Sequence, residues 1–142
     1  DTPNPLSRAQ VREVINLARE KAARFIDHSF LDGLKSKTRE VFGIGLMHKS
    51  NREYINKLLG LKEEHFYRKG DLEEAVGLLT DKGDREIAHA LGIKESDVRN
   101  RLTSMLLVLG FMGHLGVEQI NTIDVTGITG VFFTDKLCHL GN

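Results

Sequence analysis

The sequence predicts a mainly α-helical protein with tandem helix-turn-helix-like units, a long N-terminal helix and a C-terminal β-hairpin. Three observations lead to this fold class. Apolar residues recur at three- and four-residue spacing along much of the chain. A helix-ending pattern occurs twice, 32 residues apart. After Gly110 the sequence changes character and becomes rich in Val, Ile, Thr and Phe, as strands are.

The long N-terminal helix is predicted over residues 8 to 28. Ser7 and Gln10 have the spacing of a capping box, in which each side chain bonds a free backbone N–H at the helix start. Apolar residues then mark one helical face: Val11, Val14, Ile15, Ala18, Ala22, Phe25 and Ile26. A break at Gly33 follows, and a shorter helix is expected at about 37 to 47.

Capping boxes and glycines divide the middle of the chain into short helices. Two pairs have the capping-box spacing, Ser50 with Glu53 and Asp71 with Glu74. Gly60, Gly70, Gly92 and Gly110 stand where glycines end helices, and Asp84 can cap a helix start. The predicted helices therefore cover residues 51–59, 63–69, 72–80, 84–91 and 95–109.

The last predicted element is a β-hairpin over residues 118 to 134. The segment VEQINTIDVTGITGVFFTDKL is rich in β-branched and aromatic residues, which favour strands. Gly127 and Gly130 interrupt it near the middle, where a turn would lie.

The repeated pattern is LGLKE at 59–63 and LGIKE at 91–95. Flanking positions also match without a gap, as in Ile55 with Ile87, Phe66 with Val98 and Lys69 with Arg101. In each copy a glycine can end a helix in the left-handed conformation, and the next apolar residue can fill the turn. The following Phe or Val would anchor a second helix, so the repeat predicts two helix-turn-helix units.

The second copy matches a longer spacing, IAxxLxIxxxxVxxxxxxxLxxLG, through Ile87, Ala88, Leu91, Ile93, Val98, Leu106, Leu109 and Gly110. Over residues 85–111 it thereby resembles helix-turn-helix domains of the LuxR/GerE type, and related spacings occur in winged-helix repressors. The resemblance implies a DNA-binding fold, in which the hairpin would form a wing. Three segments are expected: 1–43 for packing or dimerisation, 44–75 as the first unit, and 76–142 as the second unit with the hairpin.

Basic, amide and hydroxyl side chains on the outer faces of the two units are the candidate DNA contacts, since such groups bind phosphates and base edges. In the first copy they are Lys62, His65, Tyr67, Arg68 and Lys69. In the second copy they are Lys94, Ser96, Arg99, Asn100, Arg101 and Thr103. Residues 1 to 70 contain 14 Lys or Arg and 9 Asp or Glu, so the excess of positive charge lies in the front half.

These features predict a non-enzymatic regulator of transcription or replication that binds duplex DNA and needs no cofactor or metal. The apolar run MLLVLGFM at 105–112 predicts a homodimer or a protein partner, bound through Leu107, Val108 and the N-terminal helix. Two alternatives stay open. One is a protein-binding adaptor or anti-activator on the same scaffold, and the other is a small metal-dependent or hydrolytic enzyme using scattered residues such as His114, Cys138 and His139.

Cysteine content and hydropathy bear on where the protein works. No apolar run approaches the roughly 18 residues that a membrane span needs, so no membrane partner is expected. A single cysteine, Cys138, excludes an internal disulfide framework. A cytoplasmic or otherwise reducing location is therefore predicted.

Overall fold

The computed structural model describes residues 2–26 and 40–123, and these ranges form a mainly helical protein with a small three-stranded sheet. A single turn of 3₁₀ helix, Glu95–Asp97, precedes the last helix. The elements in chain order are α1 (Arg8–Phe25), β1 (Phe42–Ile44), α2 (Leu46–Leu59), β2 (Phe66–Arg68), α3 (Lys69–Leu79), α4 (Asp84–Leu91), α5 (Arg101–Leu115) and β3 (Gln119–Ile123).

Helix α1 confirms the prediction for the start of the chain. The Gln10 backbone N–H donates to Ser7 Oγ at 3.3 Å, and the Ser7 N–H donates to Gln10 Oε1 at 2.9 Å. These two bonds complete the capping box and fix the helix start. The helix ends at Phe25, and residues 27 and 28 of the predicted helix lie outside the described ranges.

The start of α4 differs from the prediction, because Gly83 rather than Asp84 occupies the cap position. The Gly83 N–H donates to Glu86 Oε2 at 3.0 Å. The Asp84 carboxylate instead accepts hydrogen bonds from Thr2 Oγ1 at 2.6 Å and from Asn4 Nδ2 at 2.8 Å. The bond from Thr2, and to a smaller extent that from Asn4, holds the pKa of Asp84 below its usual value. The same two bonds connect the N-terminal segment to α4.

The sheet places β3 in the centre, parallel to β1 and antiparallel to β2. Phe42, Asn121 and Phe66 form one row across the three strands. The first strand of the predicted hairpin is thus present. Its neighbours are the earlier strands β1 and β2, and residues 124–134 of the prediction lie outside the described ranges.

Two predicted helices are wrong where the structure describes them. Strand β1 lies within residues 37–47, where a short helix is expected. Strand β2 lies within residues 63–69, where another helix is expected. In β2 the side chains alternate across the sheet, so that Tyr67 points inward while its neighbours point outward, which is the two-residue period of a strand. Pairing with the distant β3 therefore overrides the local helix pattern.

Several helix ends also differ from their predicted positions. Helix α2 begins after Gly45, so Ser50 is internal to it, and α3 begins at Lys69, so Gly70 opens a helix instead of ending one. The helix predicted at 95–109 divides into the 3₁₀ turn and α5, and α5 passes through Gly110 to Leu115. Short capping motifs thus compete with packing, which decides the boundaries.

The repeated LGLKE and LGIKE segments both form the predicted helix ends. Gly60 and Gly92 adopt the left-handed conformation with φ of 68° and 66°, and the apolar residue after each glycine returns its N–H to the helix. Gly116, in LGVE, makes the same turn with φ of 64°. The pattern therefore marks three helix ends in the described residues, and each leads to a different structure: β2, the 3₁₀ turn or β3.

Helix α5 lies at the centre of the core and packs against both α1 and α3. The apolar run at 105–112 is therefore buried on two sides of the helix. Its buried side chains are Leu102, Met105, Leu106, Val108, Leu109 and Met112. Val108 is only 4% exposed, so the prediction that it forms an interface is wrong, whereas Leu107 and Phe111 are 43% and 44% exposed. Within the described ranges, no helix is long and apolar enough to cross a membrane.

Candidate nucleic-acid interface

The loop from Gly92 into α5 carries most of the second set of predicted contacts. Lys94, Ser96, Arg99 and Asn100 are all exposed there. Val98 is fully buried and anchors the loop in the core. The polar side chains of this loop are therefore held at the surface on a fixed backbone.

Arg101 and Thr103 differ from these residues because both are half-buried. The Arg101 guanidinium lies 5.9 Å from the centre of the Tyr54 ring, and its Nε–H donates to the Asp97 carbonyl at 3.0 Å. These contacts hold Arg101 between the loop and α2. It stabilises the loop and is less available to a ligand than the four exposed side chains.

Lys57 brings α2 to the same loop. A Cβ added at Gly92 would overlap the Lys57 ammonium and lie 3.1 Å from its Cε, so the Lys57 side chain rests on the turn. Lys62 follows the end of α2 and is exposed. We call Lys57, Lys62, Lys94 and Arg99 the basic end, because they lie on the C-terminal ends of α2 and α4 and on the loop into α5.

Acidic residues moderate the charge of the basic end. Glu95 and Asp97 are exposed on the same loop, and Ser96 Oγ donates to Asp97 Oδ1 at 3.2 Å. The loop itself therefore carries two cations, Lys94 and Arg99, and two carboxylates, and Glu63 directly follows Lys62.

Of the first set of predicted contacts, Tyr67 and Arg68 lie on β2, His65 directly precedes it, Lys69 begins α3, and Lys62 belongs to the basic end. Tyr67 is 1% exposed and its hydroxyl lies 2.7 Å from His48 Nδ1, so its prediction as a DNA contact is wrong. Burial raises the pKa of Tyr67 well above its usual value, and a hydrogen bond with Asn51 opposes that rise. Tyr67 fails as a contact because the strand period turns its side chain inward.

The other residues around β2 are accessible to different degrees. Lys69 lies 3.8 Å from Glu73 and 3.9 Å from Glu118, which offset its charge. His65 is exposed, with its Nε2 3.9 Å from the Glu64 carboxylate. The Arg68 guanidinium lies 5.1 Å above the Phe66 ring and is exposed.

Two positions that the sequence analysis missed are Lys57 and Arg52, both on α2. Lys57 stands three residues before Gly60, in the last turn of its helix. Its signal in the sequence is a basic residue one turn before a glycine that ends a helix. Arg52 is buried and donates to the Glu64 carbonyl and to Thr122 Oγ1. Its position three residues before the buried Ile55 places it on the inner face of α2, as helical spacing alone would indicate.

The alternative of a metal-dependent enzyme needs metal-binding side chains close together. Within residues 2–26 and 40–123, no group of three His, Cys, Asp or Glu side chains could hold a metal ion. Cys138 and His139 lie outside those ranges. Comparison with protein-family models, curated proteins and solved structures finds no match. A function for this chain must therefore be argued from its own residues.

Proposed function

We propose that this protein binds duplex DNA through the basic end and acts as a regulator of transcription or replication without chemistry of its own. The observation that carries the proposal is the position of the Lys57 side chain on the Gly92 turn. It joins cations from α2 to those of the loop into α5. Two segments that are distant in sequence then present one surface to phosphate.

The exposed groups of this surface divide by chemistry. Lys57, Lys62, Lys94 and Arg99 would neutralise phosphates. Asn100, and Ser96 once its hydroxyl turns away from Asp97, would donate hydrogen bonds beside the start of α5, where the helix dipole favours anions. Beyond its first turn, α5 exposes mainly Leu107 and Phe111. Contacts with the DNA backbone therefore dominate contacts with the bases. The affinity for DNA should depend strongly on salt, while the preference for one DNA sequence stays modest.

Charge reversal at Lys57 and Lys94 is expected to weaken DNA binding strongly. For four phosphate contacts, the slope of log affinity against log salt should be about −3.6, and Lys57→Glu with Lys94→Glu should bring it to about −1.8. Fluorescence anisotropy of a labelled duplex, titrated between about 50 and 200 mM salt, measures both slopes.

The matched control reverses two exposed cations of α1, Lys21→Glu with Arg24→Glu, and changes net charge equally. The control should keep most of the wild-type slope. Undetectable binding at the lowest salt, or the same loss of slope in both double variants, would contradict the proposal.

The second candidate function is assembly with a protein, including a second copy of this chain. Leu107 and Phe111 are one helical turn apart on α5, and Leu17 of α1 is also exposed. Helices α1 and α5 pack together, since Gly110 lies against Ala18. These exposed apolar side chains favour an interface on the α1–α5 pair.

Leu107→Glu with Phe111→Glu is expected to convert a homodimer to a monomer, because two carboxylates would be buried without partners. Sedimentation velocity over a range of protein concentrations measures the change. Leu78→Glu, at a similarly exposed leucine of α3, is the control and should leave the assembly intact. A wild-type protein that stays monomeric throughout would remove the homodimer candidate.

A further inference from the structure

An apolar cavity of about 210 Å³ lies between the first turn of α2, the strands β1 and β3, and the C-terminal half of α5. Met47, Val108, Phe111, Met112, Val117 and Ile120 are among its lining side chains. Phe42, Met47 and Phe111 are partly exposed at its rim. His48 contributes the polar side chain of an otherwise apolar lining.

His48 is fixed in place by three neighbouring features. Gly43 of β1 lies against the imidazole ring, because an added Cβ would come within 2.7 Å of His48 Nδ1 and 2.8 Å of Ile120 Cγ2. The ring stacks on Tyr67 with an angle of 19° between the planes. His48 Nδ1 and Tyr67 Oη are 2.7 Å apart, within hydrogen-bond distance. The imidazole of His48 is therefore held between β1 and Tyr67 while His48 lines the cavity.

The second ring nitrogen, Nε2, has no hydrogen-bond partner within the part of the chain that the structure describes. Burial lowers the pKa of His48, so the imidazole is neutral at neutral pH. In a neutral imidazole, Nε2 donates if Tyr67 donates to Nδ1, and it accepts if Nδ1 donates to Tyr67. A hydroxyl group can satisfy either arrangement, because it both donates and accepts.

The cavity is open at its rim, and its volume accommodates a small ring. A cavity of about 150 Å³ lined by Leu, Ile and Phe holds benzene, so about 210 Å³ holds an aromatic ring with a few more atoms. Apolar walls favour a ring without charged groups. One polar wall group then favours one polar substituent on the ligand.

We propose that this cavity binds a compact ring-containing molecule with one hydroxyl group, of the phenol class, whose hydroxyl bonds to His48 Nε2. The site shares no residue with the basic end, so it stands or falls independently of DNA binding. Recognition combines ring burial against the apolar walls with one hydrogen bond at the imidazole.

The test uses p-cresol and its matched partner toluene, which lacks the hydroxyl, with the protein labelled at the methionine methyl groups. The chain contains three methionines, and Met47 and Met112 line the cavity whereas Met105 lies elsewhere in the core. In NMR titrations, p-cresol should shift the Met47 and Met112 signals saturably and Met105 much less. A dissociation constant of about 1 mM or lower is expected, within the per-atom limit for such small ligands.

Toluene should bind about two- to tenfold more weakly than p-cresol, since one hydrogen bond to the half-buried His48 is lost. Val117→Phe should fill the cavity and remove p-cresol binding, while Leu78→Phe, on an exposed position of α3, should retain it. The wild-type comparison of the two ligands decides the matter if Val117→Phe does not fold. Absence of saturable shifts, equal affinity for toluene, or full binding by a folded Val117→Phe variant would overturn the proposal.

Discussion

Gly110→Ala is expected to destabilise the protein by about 2 kcal/mol, although alanine is the better helix former. A Cβ at this position would overlap Ala18 Cβ and lie 2.8 Å from the Ile15 carbonyl oxygen and 3.0 Å from the Arg19 nitrogen. Two of these atoms belong to the backbone of α1, so the whole helix must move. Overpacking at the upper end of its range costs about 3 kcal/mol, and the gain in helix propensity offsets about 1 kcal/mol.

Urea denaturation measures this change as a lower midpoint with an unchanged slope. Gly113→Ala is the matched control, because it lies in the same helix and, within residues 2–26 and 40–123, no atom outside the neighbouring backbone of α5 lies within 4 Å of its added Cβ. That variant should gain about 0.5–1 kcal/mol from helix propensity alone. If both variants stabilise the protein equally, α1 and α5 do not approach as closely as the structure indicates.

Gly110 also shows why the sequence predicted some helix ends correctly and others wrongly. Leu-Gly followed by Leu, Ile or Val ends a helix at Gly60, Gly92 and Gly116, where the following residue is half-buried. In LGF the following Phe111 remains in the helix and is exposed. The same glycine is instead needed for the close approach of α1, which is a contact between distant segments.

The sequence predicts local features well and non-local features poorly. The capping box at Ser7 involves neighbouring residues, so α1 could be predicted from pattern alone. Strands β1 and β2 have three residues each, too few for an alternating pattern to be recognised in the sequence. Both strands form by pairing with β3. Sequence distance thus explains why both strands were predicted as helices.

The candidate site follows the same rule. Exposure of Lys94, Ser96, Arg99 and Asn100 could be predicted, because they stand outside the apolar positions of one short segment. The approach of Lys57 to Gly92 could not, since it depends on how α2 and α4 pack. Neither could the position of Glu118 beside Lys69, which follows from the pairing of β2 with β3.

Arg52→Met is expected to destabilise the protein by about 3 kcal/mol. Arg52 is 8% exposed and donates to the Glu64 carbonyl and to Thr122 Oγ1, so it joins α2 to β3 and to the chain entering β2. Methionine keeps much of the apolar stem but supplies no donor. Two acceptors then lose their charged partner, at about 1–3 kcal/mol each before relaxation.

A double-mutant cycle with Thr122→Val isolates one of these bonds. Thr122→Val removes the acceptor, so it should cost about 1 kcal/mol less in the Arg52→Met background than in the wild type. Arg99→Met, at an exposed position, is the control for loss of an arginine and should change stability by no more than about 0.5 kcal/mol. Additive effects in the urea midpoints would mean that the bond between Arg52 and Thr122 contributes nothing. A non-zero coupling would instead show that a buried cation helps to hold the small sheet against α2, which the hydrophobic pattern of the chain does not reveal.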